Sequence, residues 1–358
     1  MSARTLRWAV LGTNAVSASF SRALATVPGN QRQAIISPEL GSAQGFAARH
    51  GFSVALALDE SVFHREDVDV FYIATPTVGH MDLCLRAIAA GKPVLCEKPM
   101  TISGEQLLAV QLAARKAQVF AMEGMWTRFN PIIGQLRARL DRGECGDVMA
   151  VSMQVGYVRA PENRTDVDPS CDALSDFGCY GFSLALYLFG RPQRILASGR
   201  TRGNNGAVEH AHIILAYAGF SFLLETSIVA DTRNALEVLG SRGRIAIPAS
   251  VIDPYRLESR GWDGASGSKL RGRMERLGHA FVDQFATLHP LRGSGFRGEV
   301  AELARCLDEG RLESEVNPLS ATLACHEIEQ AARTSLRTGQ WQPLTQSTNN
   351  CTVQATIE

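Results

Sequence analysis

Lys98 is the residue with the clearest chemical potential, because it follows the short apolar run Pro93–Cys96 within Glu97-Lys98-Pro99. Such a run is typical of a buried strand. In α/β sheets, ligands bind at the carboxyl ends of the strands. A lysine at that edge supplies a positive charge that stabilises developing negative charge on an oxygen atom, and desolvation lowers a lysine pKa. We therefore expect Lys98 at the centre of a catalytic site.

Asp176 and Tyr180 are four residues apart within a predicted helix, Ala173–Leu188, so their side chains share one face. A tyrosine pKa of about 10 falls toward a useful range for proton transfer when an ammonium group is near. Asp176 would bind a substrate hydroxyl or pair with Lys98. Two alternatives remain open: Asp176 complements the helix dipole, and Tyr180 is a core residue among its apolar neighbours.

A second pattern follows the first predicted strand, Arg7–Leu11, where Gly12-Thr13-Asn14-Ala15-Val16-Ser17 leads into a helix. A strand, a tight turn and a helix amino terminus form the setting of a dinucleotide-binding turn. Asn14 and Ser17 replace its second glycine and third small residue, but Asn tolerates left-handed backbone angles and Ser is small. We expect a pyrophosphate contact here, with an ordinary strand-to-helix loop as the alternative. The expected cofactor-binding residues are Gly12, Thr13, Asn14, Ala15 and Val16.

The end of the second predicted strand carries Ser37 and, after Pro38, Glu39. An acidic residue at this place accepts from a ribose 2′-hydroxyl and repels a 2′-phosphate. The pattern slightly favours NAD over NADP. A loop glutamate without a role is the alternative.

The first third of the chain alternates short apolar runs with helical patterns, which indicates a doubly wound parallel sheet of the Rossmann type over residues 1–124. The predicted strands are Arg7–Leu11, Gln33–Ile36, Val54–Leu58, Asp67–Ala74, Pro93–Cys96 and Gln118–Met122. The predicted helices are Val16–Val27, Ser42–His50, Val78–Ala90 and Gly104–Lys116.

Residues 125–343 predict an α+β domain with a large, mostly antiparallel sheet and helices on one face, which makes the whole chain α/β in class. Residues 344–358 form a polar tail. The predicted strands are Val148–Val158, Arg194–Thr201, Glu209–Ala216, Ser221–Ala230 and one run, Ala235–Ile247. The predicted helices are Asn130–Leu140, Ala173–Leu188, Phe296–Glu309 and Ser320–Thr338. Apolar residues on several strands predict that a second copy covers the open face of the sheet, as a homodimer or homotetramer.

Composition excludes several classes of function. Among 358 residues, basic and acidic side chains balance at 36 each, so neither a nucleic-acid nor a membrane partner is expected. The amino terminus resembles no secretory signal, and no apolar run reaches the roughly 20 residues of a membrane helix. The cysteines include no Cys-x-x-Cys pair, so we predict reduced thiols, no metal site and a cytoplasmic location.

Several motifs together resemble the glucose–fructose oxidoreductase and inositol dehydrogenase family (Gfo/Idh/MocA), particularly its trans-dihydrodiol and sugar dehydrogenases. The resemblance covers roughly Arg7 to Pro343. It rests on Gly12-Thr13, Thr75-Pro76-Thr77-Val78-Gly79-His80, Glu97-Lys98-Pro99, Met122-Glu123-Gly124-Met125-Trp126-Thr127-Arg128-Phe129-Asn130-Pro131 and Asp176-Phe177-Gly178-Cys179-Tyr180.

The resemblance implies roles at individual positions. Lys98 would be the catalytic lysine, Tyr180 would take the place of a catalytic Tyr or His, and Glu97 would lie near the nicotinamide ribose. The implied cofactor loop comprises Ala74, Thr75, Pro76 and His80. The implied substrate-binding residues are Trp126, Arg128, Arg164, Asp176 and Tyr180.

The resemblance also implies a reaction: hydride transfer between NAD or NADP and a secondary alcohol or ketone of a small polyhydroxylated substrate, such as a sugar, inositol or cyclic diol. Ser170-Cys171-Asp172 stands where relatives usually have glycines, Thr77 replaces a frequent Asn, and Pro38 a frequent Arg. These departures leave two alternatives open. One is a dinucleotide-binding regulator without catalysis, and the other is an epimerase or hydrolase that uses transient oxidation.

Overall fold

The computed structural model describes residues 5–159, 171–202, 206–262, 285–288 and 294–344. Its first sheet has six parallel strands in the order β3-β2-β1-β4-β5-β6. This doubly wound sheet confirms the predicted Rossmann architecture. Its strands are β1 (Leu6–Leu11), β2 (Asn30–Ser37), β3 (Val54–Ala57), β4 (Val70–Ile73), β5 (Val94–Glu97) and β6 (Ala121–Gly124). Its helices are α1 (Ala15–Leu24), α2 (Leu40–His50), α3 (His80–Ala89) and α4 (Gly104–Ala117).

Burial on both faces explains why these strands read as short apolar runs. All four residues of β4, Val70–Ile73, are buried. Apolar side chains of α3 and α4 pack on one face of the sheet, and those of α1 and α2 pack on the other. The observed ends differ from the predicted ones by a few residues, as usual for element boundaries. The carboxyl ends of β1, β4 and β5 meet where the strand order reverses, which is the ligand-binding edge of such sheets.

The second sheet has nine strands among the described residues, in the order β14-β13-β12-β11-β7-β10-β9-β8-β15, and is antiparallel except for the parallel pair β7 and β10. Its strands are β7 (Val148–Gly156), β8 (Arg194–Arg202), β9 (Ala207–Ala216), β10 (Ser221–Ser227), β11 (Ala235–Gly240), β12 (Gly243–Ile247), β13 (Arg256–Gly261), β14 (Phe285–Leu288) and β15 (Gln342–Pro343). The accompanying helices are α5 (Pro131–Asp141), α6 (Cys179–Phe189), α7 (Ser294–Asp308) and α8 (Leu319–Thr338).

The structure corrects the single predicted run Ala235–Ile247, which is a hairpin. Strands β11 and β12 pair antiparallel, with Leu239 opposite Arg244. Glycine at both flanks of the turn, Gly240 and Gly243, lets the two strands approach other backbone closely. Strands β13, β14 and β15 were not predicted. The polar sequence of β13, Arg256–Gly261, lacks the apolar alternation that marks a half-buried strand.

The two faces of the second sheet differ in character. Ala211, Ile213 and Leu215 of β9 point into the core, where α5, α6 and α8 contribute side chains. The alternate positions, including His210 and His212, lie on the open face. That face is mixed in character, because strand alternation turns most of the apolar residues inward. Its large exposed apolar side chains include Leu223 and Leu239.

Helix α7 ties the end of the chain to the Rossmann domain. Phe296, Val300 and Leu303 join the same apolar cluster as Phe20 of α1. A Cβ on Gly295 would lie 2.4 Å from the carbonyl oxygen of Trp126, so glycine permits the close approach of α7 to the turn at Trp126–Phe129. No helix in the described ranges is both long and apolar enough to cross a bilayer.

Candidate active site

A cavity of about 650 Å³ lies where the ligand edge of the first sheet faces the second domain. Helix α1, the end of β5, the turn at Trp126, a helical turn at Leu174–Gly178 and helix α7 form its walls. The lining residues are Ala15, Val16, Ser19, Arg22, Ala23, Thr26, Glu97, Lys98, Trp126, Arg159, Asp176, Phe177, Tyr180, Ile252, Asp253, Phe296 and Arg297.

The ammonium group of Lys98 lies at the junction of the two domains. Lys98 directly follows β5, and its Nζ donates to the backbone oxygen of Asp176 at 2.8 Å and to Oδ1 of Asp176 at 3.1 Å. The same Nζ lies 4.9 Å from the centre of the Tyr180 ring. The structure thus brings together Lys98, Asp176 and Tyr180, which sequence analysis singled out as a catalytic set.

Asp176 is bound from two sides. Its Oδ2 accepts from Nε of Arg159 at 2.8 Å and from Nη2 of the same guanidinium, while its Oδ1 faces Lys98. The Asp176 side chain is only 16% exposed. A carboxylate between two cations orients both of them, so Asp176 positions Lys98 and Arg159 rather than only complementing a helix dipole.

The charges in this group support one another. Burial raises the pKa of Asp176, but Lys98 and Arg159 more than offset it, so the pKa lies below its ordinary value. Burial lowers the pKa of Lys98, but its surroundings, which include the Asp176 carboxylate, leave it well above its ordinary value. Lys98 therefore carries its charge at neutral pH. Its pKa is not lowered by desolvation in the way the sequence allowed.

Tyr180 differs from expectation in its ionisation. Its pKa is raised, because burial outweighs the opposing effect of the Lys98 ammonium. The ammonium lies over the ring, and the hydroxyl oxygen accepts from Nε1 of Trp126 at 3.2 Å. Trp126 in turn stacks on Phe296 of α7, with ring centres 4.9 Å apart. Tyr180 is consequently a neutral hydroxyl group, and the prediction of a lowered pKa is wrong.

The predicted helix Ala173–Leu188 begins with a π-helical turn at Leu174–Gly178. A π turn widens the backbone spiral and is frequent at functional sites. The turn contains Asp176, and α6 begins one residue before Tyr180. Both side chains still line the cavity, so the irregularity preserves their shared direction while exposing the Asp176 backbone oxygen to Lys98.

Asp172 has a structural role in the segment Ser170-Cys171-Asp172, where relatives usually have glycines. It is fully buried, its Oδ1 accepts from the backbone nitrogens of Leu174 and Ser175 at 3.0 Å, and Arg333 of α8 binds both of its oxygens. Asp172 thus caps the π turn and ties it to the last helix. Ser170 lies outside the described residues.

The turn that was predicted to bind a pyrophosphate is shaped by Gly12 and Asn14. Gly12 has φ +108°, and a Cβ there would lie 2.2 Å from the Ala74 oxygen, so only glycine fits. Asn14 has an extended backbone, with φ −84°, and not the left-handed angles considered from sequence. Its Oδ1 accepts from the Ser17 nitrogen at 2.9 Å and its Nδ2 donates to Ala74 oxygen at 2.7 Å. Asn14 therefore caps α1, with Ala15 and Val16 at the cavity.

His80 supports the loops beside this turn. It is buried, and its ring nitrogens lie 2.8 Å from the Thr75 oxygen and 2.9 Å from the Pro99 oxygen. The imidazole thereby connects the loop after β4 with the residue that follows Lys98. The loop residues Thr75 and Pro76 are accessible, whereas Ala74 is buried against Gly12.

Glu97 lies beneath the cavity. Its Oε1 accepts from the Tyr72 hydroxyl at 2.5 Å, and its Oε2 accepts from the backbone nitrogen of Lys98 at 3.3 Å. Burial raises the pKa of Glu97 to about 7, although Tyr72 and Lys98 oppose that effect. Glu97 therefore holds the backbone of Lys98 from a buried position.

The residues expected at an adenosine ribose lie at the end of β2. Ser37 is buried, and Glu39 is exposed, immediately before α2. Neither lines the cavity. Arg32, a cation within β2, donates to the backbone oxygen of His50.

Two predicted substrate-binding arginines have different outcomes. Arg128 is buried and donates to Ser183 Oγ at 2.7 Å, to Ser183 oxygen at 3.0 Å and to Val316 oxygen at 3.2 Å. It is absent from the cavity wall, so its guanidinium joins the elements behind the site. Arg164 lies outside the described residues.

Several residues of the cavity wall were not predicted from the sequence. Arg159 lies three residues after the end of β7 and contacts the Phe177 ring as well as Asp176. Arg22 and Ser19 on α1, and Arg297 on α7, also line the cavity. Helical spacing places Ser19 and Arg22 on the face that carries Ala15, which is the sequence signal for this wall. The contribution of α7 has no local signal, because it depends on packing between distant segments.

Two family models match the chain. The model for an oxidoreductase family with an NAD-binding Rossmann fold matches residues 6–125, and the model for the GFO/IDH/MocA C-terminal domain matches residues 133–246. The chain belongs to the Gfo/Idh/MocA family. It is an NAD(P)-binding oxidoreductase, as the sequence motifs predicted.

Curated relatives share nearly the whole length of this Gfo/Idh/MocA protein. A trans-1,2-dihydrobenzene-1,2-diol dehydrogenase from Bos taurus is 30% identical over 339 residues, which cover 92% of this chain and 97% of the relative. The protein of the same name from Xenopus tropicalis is 28% identical over 323 residues, with coverage of 88% and 93%.

Solved structures share the fold. A levoglucosan dehydrogenase in complex with NADH and L-sorbose has a TM-score of 0.80 at 19% identity, and the match covers 96% of this chain and all of the other. A 3-ketoreductase from Actinomadura kijaniata, in complex with TDP-benzene and NADP, has a TM-score of 0.75 at 23% identity, with coverage of 94% and 98%.

The site geometry of this Gfo/Idh/MocA protein fits a nicotinamide dinucleotide. The turn at Gly12 admits no side chain, and the accessible first residues of α1 open into the same cavity as Lys98. A helix amino terminus presents N–H groups to a pyrophosphate. Asn14 uses one of those groups, the Ser17 nitrogen, for its own cap.

Proposed function

We propose that this enzyme transfers a hydride between NAD(P) and a secondary alcohol or ketone of a sugar, inositol or cyclic diol. The observation that carries the proposal is the charged Lys98 ammonium in a cavity shared with the dinucleotide-binding turn. The nicotinamide, when bound, accepts or donates the hydride. The protein must hold the substrate oxygen and manage one proton.

Lys98 suits that task. Its ammonium group stabilises alkoxide character on the substrate oxygen, and in ketone reduction an N–H of Nζ is positioned to supply the proton. Asp176 keeps this group oriented through Oδ1 and its backbone oxygen. Tyr180 remains a neutral hydroxyl group, so we assign it hydrogen bonding to the substrate rather than the role of a base.

The polar groups of the wall indicate a substrate with several hydroxyls. Lys98, Arg159 and Asp176 offer donors and an acceptor within one small region, and Tyr180 adds a hydroxyl. Trp126 and Phe177 supply apolar surface beside them, which suits the carbon face of a ring. The relatives named for a cyclic dihydrodiol, and the fold neighbours bound to L-sorbose or named for levoglucosan, support the same class.

The experiment begins with mass spectrometry of the dinucleotide that co-purifies with the protein, and of its redox state. Purified enzyme is then given NAD⁺ or NADP⁺ with a panel of aldoses, inositols and cyclic trans-diols, and reduced nicotinamide is measured by absorbance. We expect turnover of at least one member, and a rate about 10²-fold or more lower in Lys98→Met. Tight dinucleotide binding without turnover in either direction would favour a regulator. Substrate isomerisation without net nicotinamide reduction would favour an epimerase.

We also propose that the protein is a cytoplasmic homodimer paired through the open face of the second sheet. Leu223 and Leu239 are exposed on that face, and a nine-stranded sheet with one uncovered face gains from pairing. The free cysteines of the described residues suit a reducing compartment. Light scattering should give twice the 38.8 kDa chain mass. Leu223→Arg should shift the protein to monomer, whereas Leu112→Arg on exposed α4 should not.

A further inference from the structure

The open face of the second sheet carries a cluster of side chains that the oxidoreductase site does not use. His210 and His212 occupy alternate positions of β9, and Glu225 lies on β10 directly opposite His212. Because side chains alternate along a strand, all three project from the same face. The potential ligand atoms of the three side chains lie within 4.8 Å of one another.

The distances suit a small divalent cation. The Nε2 atoms of His210 and His212 are 3.2 Å apart, and Oε1 of Glu225 lies 3.8 Å from the His210 Nε2. Two imidazoles bound to zinc at about 2.0–2.1 Å with tetrahedral angles place their nitrogens about 3.3 Å apart. A small rotation of the Glu225 side chain completes a set of two nitrogens and one oxygen.

A neighbouring side chain orients the carboxylate. Gln154 of β7 is the register partner of Glu225 on its other side, and its Nε2 donates to Oε2 of Glu225 at 2.5 Å. Oε1 is thus left facing His210. Outer contacts of this kind fix ligand orientation in metal sites and contribute strongly to affinity.

The surroundings are compatible with a bound cation. Arg200 is the register partner of His210 on β8, but its guanidinium is paired with Glu209 at 2.9 Å. In the single chain the His210 side chain is 25% exposed and that of Glu225 is 24% exposed, so an ion can enter the cluster before two sheet faces pair. The ligands lie on paired central strands rather than on loops, which fixes their spacing.

We propose that His210, His212 and Glu225 bind one Zn²⁺ ion on the open sheet face, with water in the fourth position. Two imidazoles, one carboxylate and a water form one of the ligand sets that bind zinc in proteins. The ion would link β9 to β10 through these ligands. Because the site is separate from the hydride-transfer cavity, it takes no part in catalysis. The prediction of no metal site rested on cysteine spacing, and the His-x-His pattern on a strand is the signal it did not use.

Zinc titration of tag-free, chelator-treated full-length protein tests the proposal by calorimetry, with Co²⁺ as a spectroscopic probe of tetrahedral geometry. One equivalent per chain is expected, with a rise in Tm because the ion binds the folded state. His212→Ala and Glu225→Gln should each weaken affinity at least tenfold, and Gln154→Leu about tenfold.

His64→Ala is the matched control, since His64 is an exposed histidine beside Glu60 in the other domain. It should bind zinc as the wild type does. No stoichiometric binding by the wild type, or equal affinity in the wild type and in the doubly substituted His210→Ala/His212→Ala, would overturn the proposal. Loss of binding in His64→Ala would do the same.

Discussion

The two halves of the active site are built in different ways. On the side that we propose to bind the dinucleotide, Gly12 lies against Ala74 at the end of the neighbouring strand, and Asn14 bonds to Ser17 and Ala74. On the chemical side, Lys98 bonds to Asp176, 78 residues away in the chain. Backbone shape thus defines the first half, whereas charged side chains from separate domains define the second.

This difference implies that single substitutions can reduce the reaction rate and dinucleotide binding independently. A change of side chain at Lys98 should affect the reaction, and a change of backbone at Gly12 should affect the dinucleotide. Lys98 is the point of contact between the halves, because it follows a Rossmann strand and is held by the second domain.

The largest effect is expected from Lys98→Met. Loss of the ammonium should reduce turnover about 10²-fold or more, because alkoxide charge is no longer stabilised, while dinucleotide affinity stays within a few-fold. Steady-state kinetics and fluorescence titration of the reduced nicotinamide separate the two quantities. Lys116→Met, on the exposed side of α4, should leave both unchanged. Near-normal turnover of Lys98→Met would remove Lys98 from the mechanism.

Asp176→Asn tests the contact between domains. We expect the free energy of unfolding at neutral pH to fall by about 2 kcal/mol, because a neutral amide replaces the carboxylate that binds two cations. Asp141→Asn, at an exposed ion pair of α5, should cost far less. Urea unfolding of the three proteins provides the comparison.

The same pair of proteins predicts a pH dependence. The pKa of Asp176 in the folded protein lies below its ordinary value of 3.8. The ionised carboxylate therefore contributes its full stabilisation of the fold above pH 3.8, and this contribution is lost as the pH falls through the folded-state pKa. The difference in free energy of unfolding between wild type and Asp176→Asn should therefore persist at neutral pH and become smaller in acid. A gap that is constant down to strongly acidic pH would contradict the ion-pair assignment.

Gly12→Ala should weaken dinucleotide binding. A positive φ and a Cβ placed 2.2 Å from the Ala74 oxygen force the turn to move, and we expect dinucleotide affinity to fall about tenfold or more. Gly45→Ala in α2 is the control, because its Cβ meets no atom within 4 Å and alanine favours a helix. Equal affinities in the two variants would show that the turn does not hold the pyrophosphate.

The smallest effect concerns cofactor preference. With Glu39 exposed at the end of β2, NAD(H) should bind at least as well as NADP(H), and Glu39→Gln should improve NADP(H) binding by a few-fold as the repulsion is removed. Titration with both dinucleotides measures this. A clear preference for NADP(H) that Glu39→Gln leaves unchanged would contradict the assignment of this loop.

Sequence by itself determined the Rossmann domain, the strand–turn–helix unit at Gly12 and the position of Lys98 at the end of a strand. These features are local: strand runs, a glycine that no other residue replaces, and a lysine at a strand end each have a signature within a few residues. The four-residue spacing of Asp176 and Tyr180 also placed both in one cavity wall, even though the helix begins with a π turn.

Only the tertiary structure decided the ionisation and the partners of those residues. Burial raises the pKa of Tyr180 despite the nearby ammonium group. Asp176 binds Arg159 as well as Lys98. Arg128 lies behind the site because Ser183 and Val316 surround it, and α7 completes the cavity from the far end of the chain. Desolvation and long-range packing depend on how distant segments meet, and no local pattern of residues contains that information.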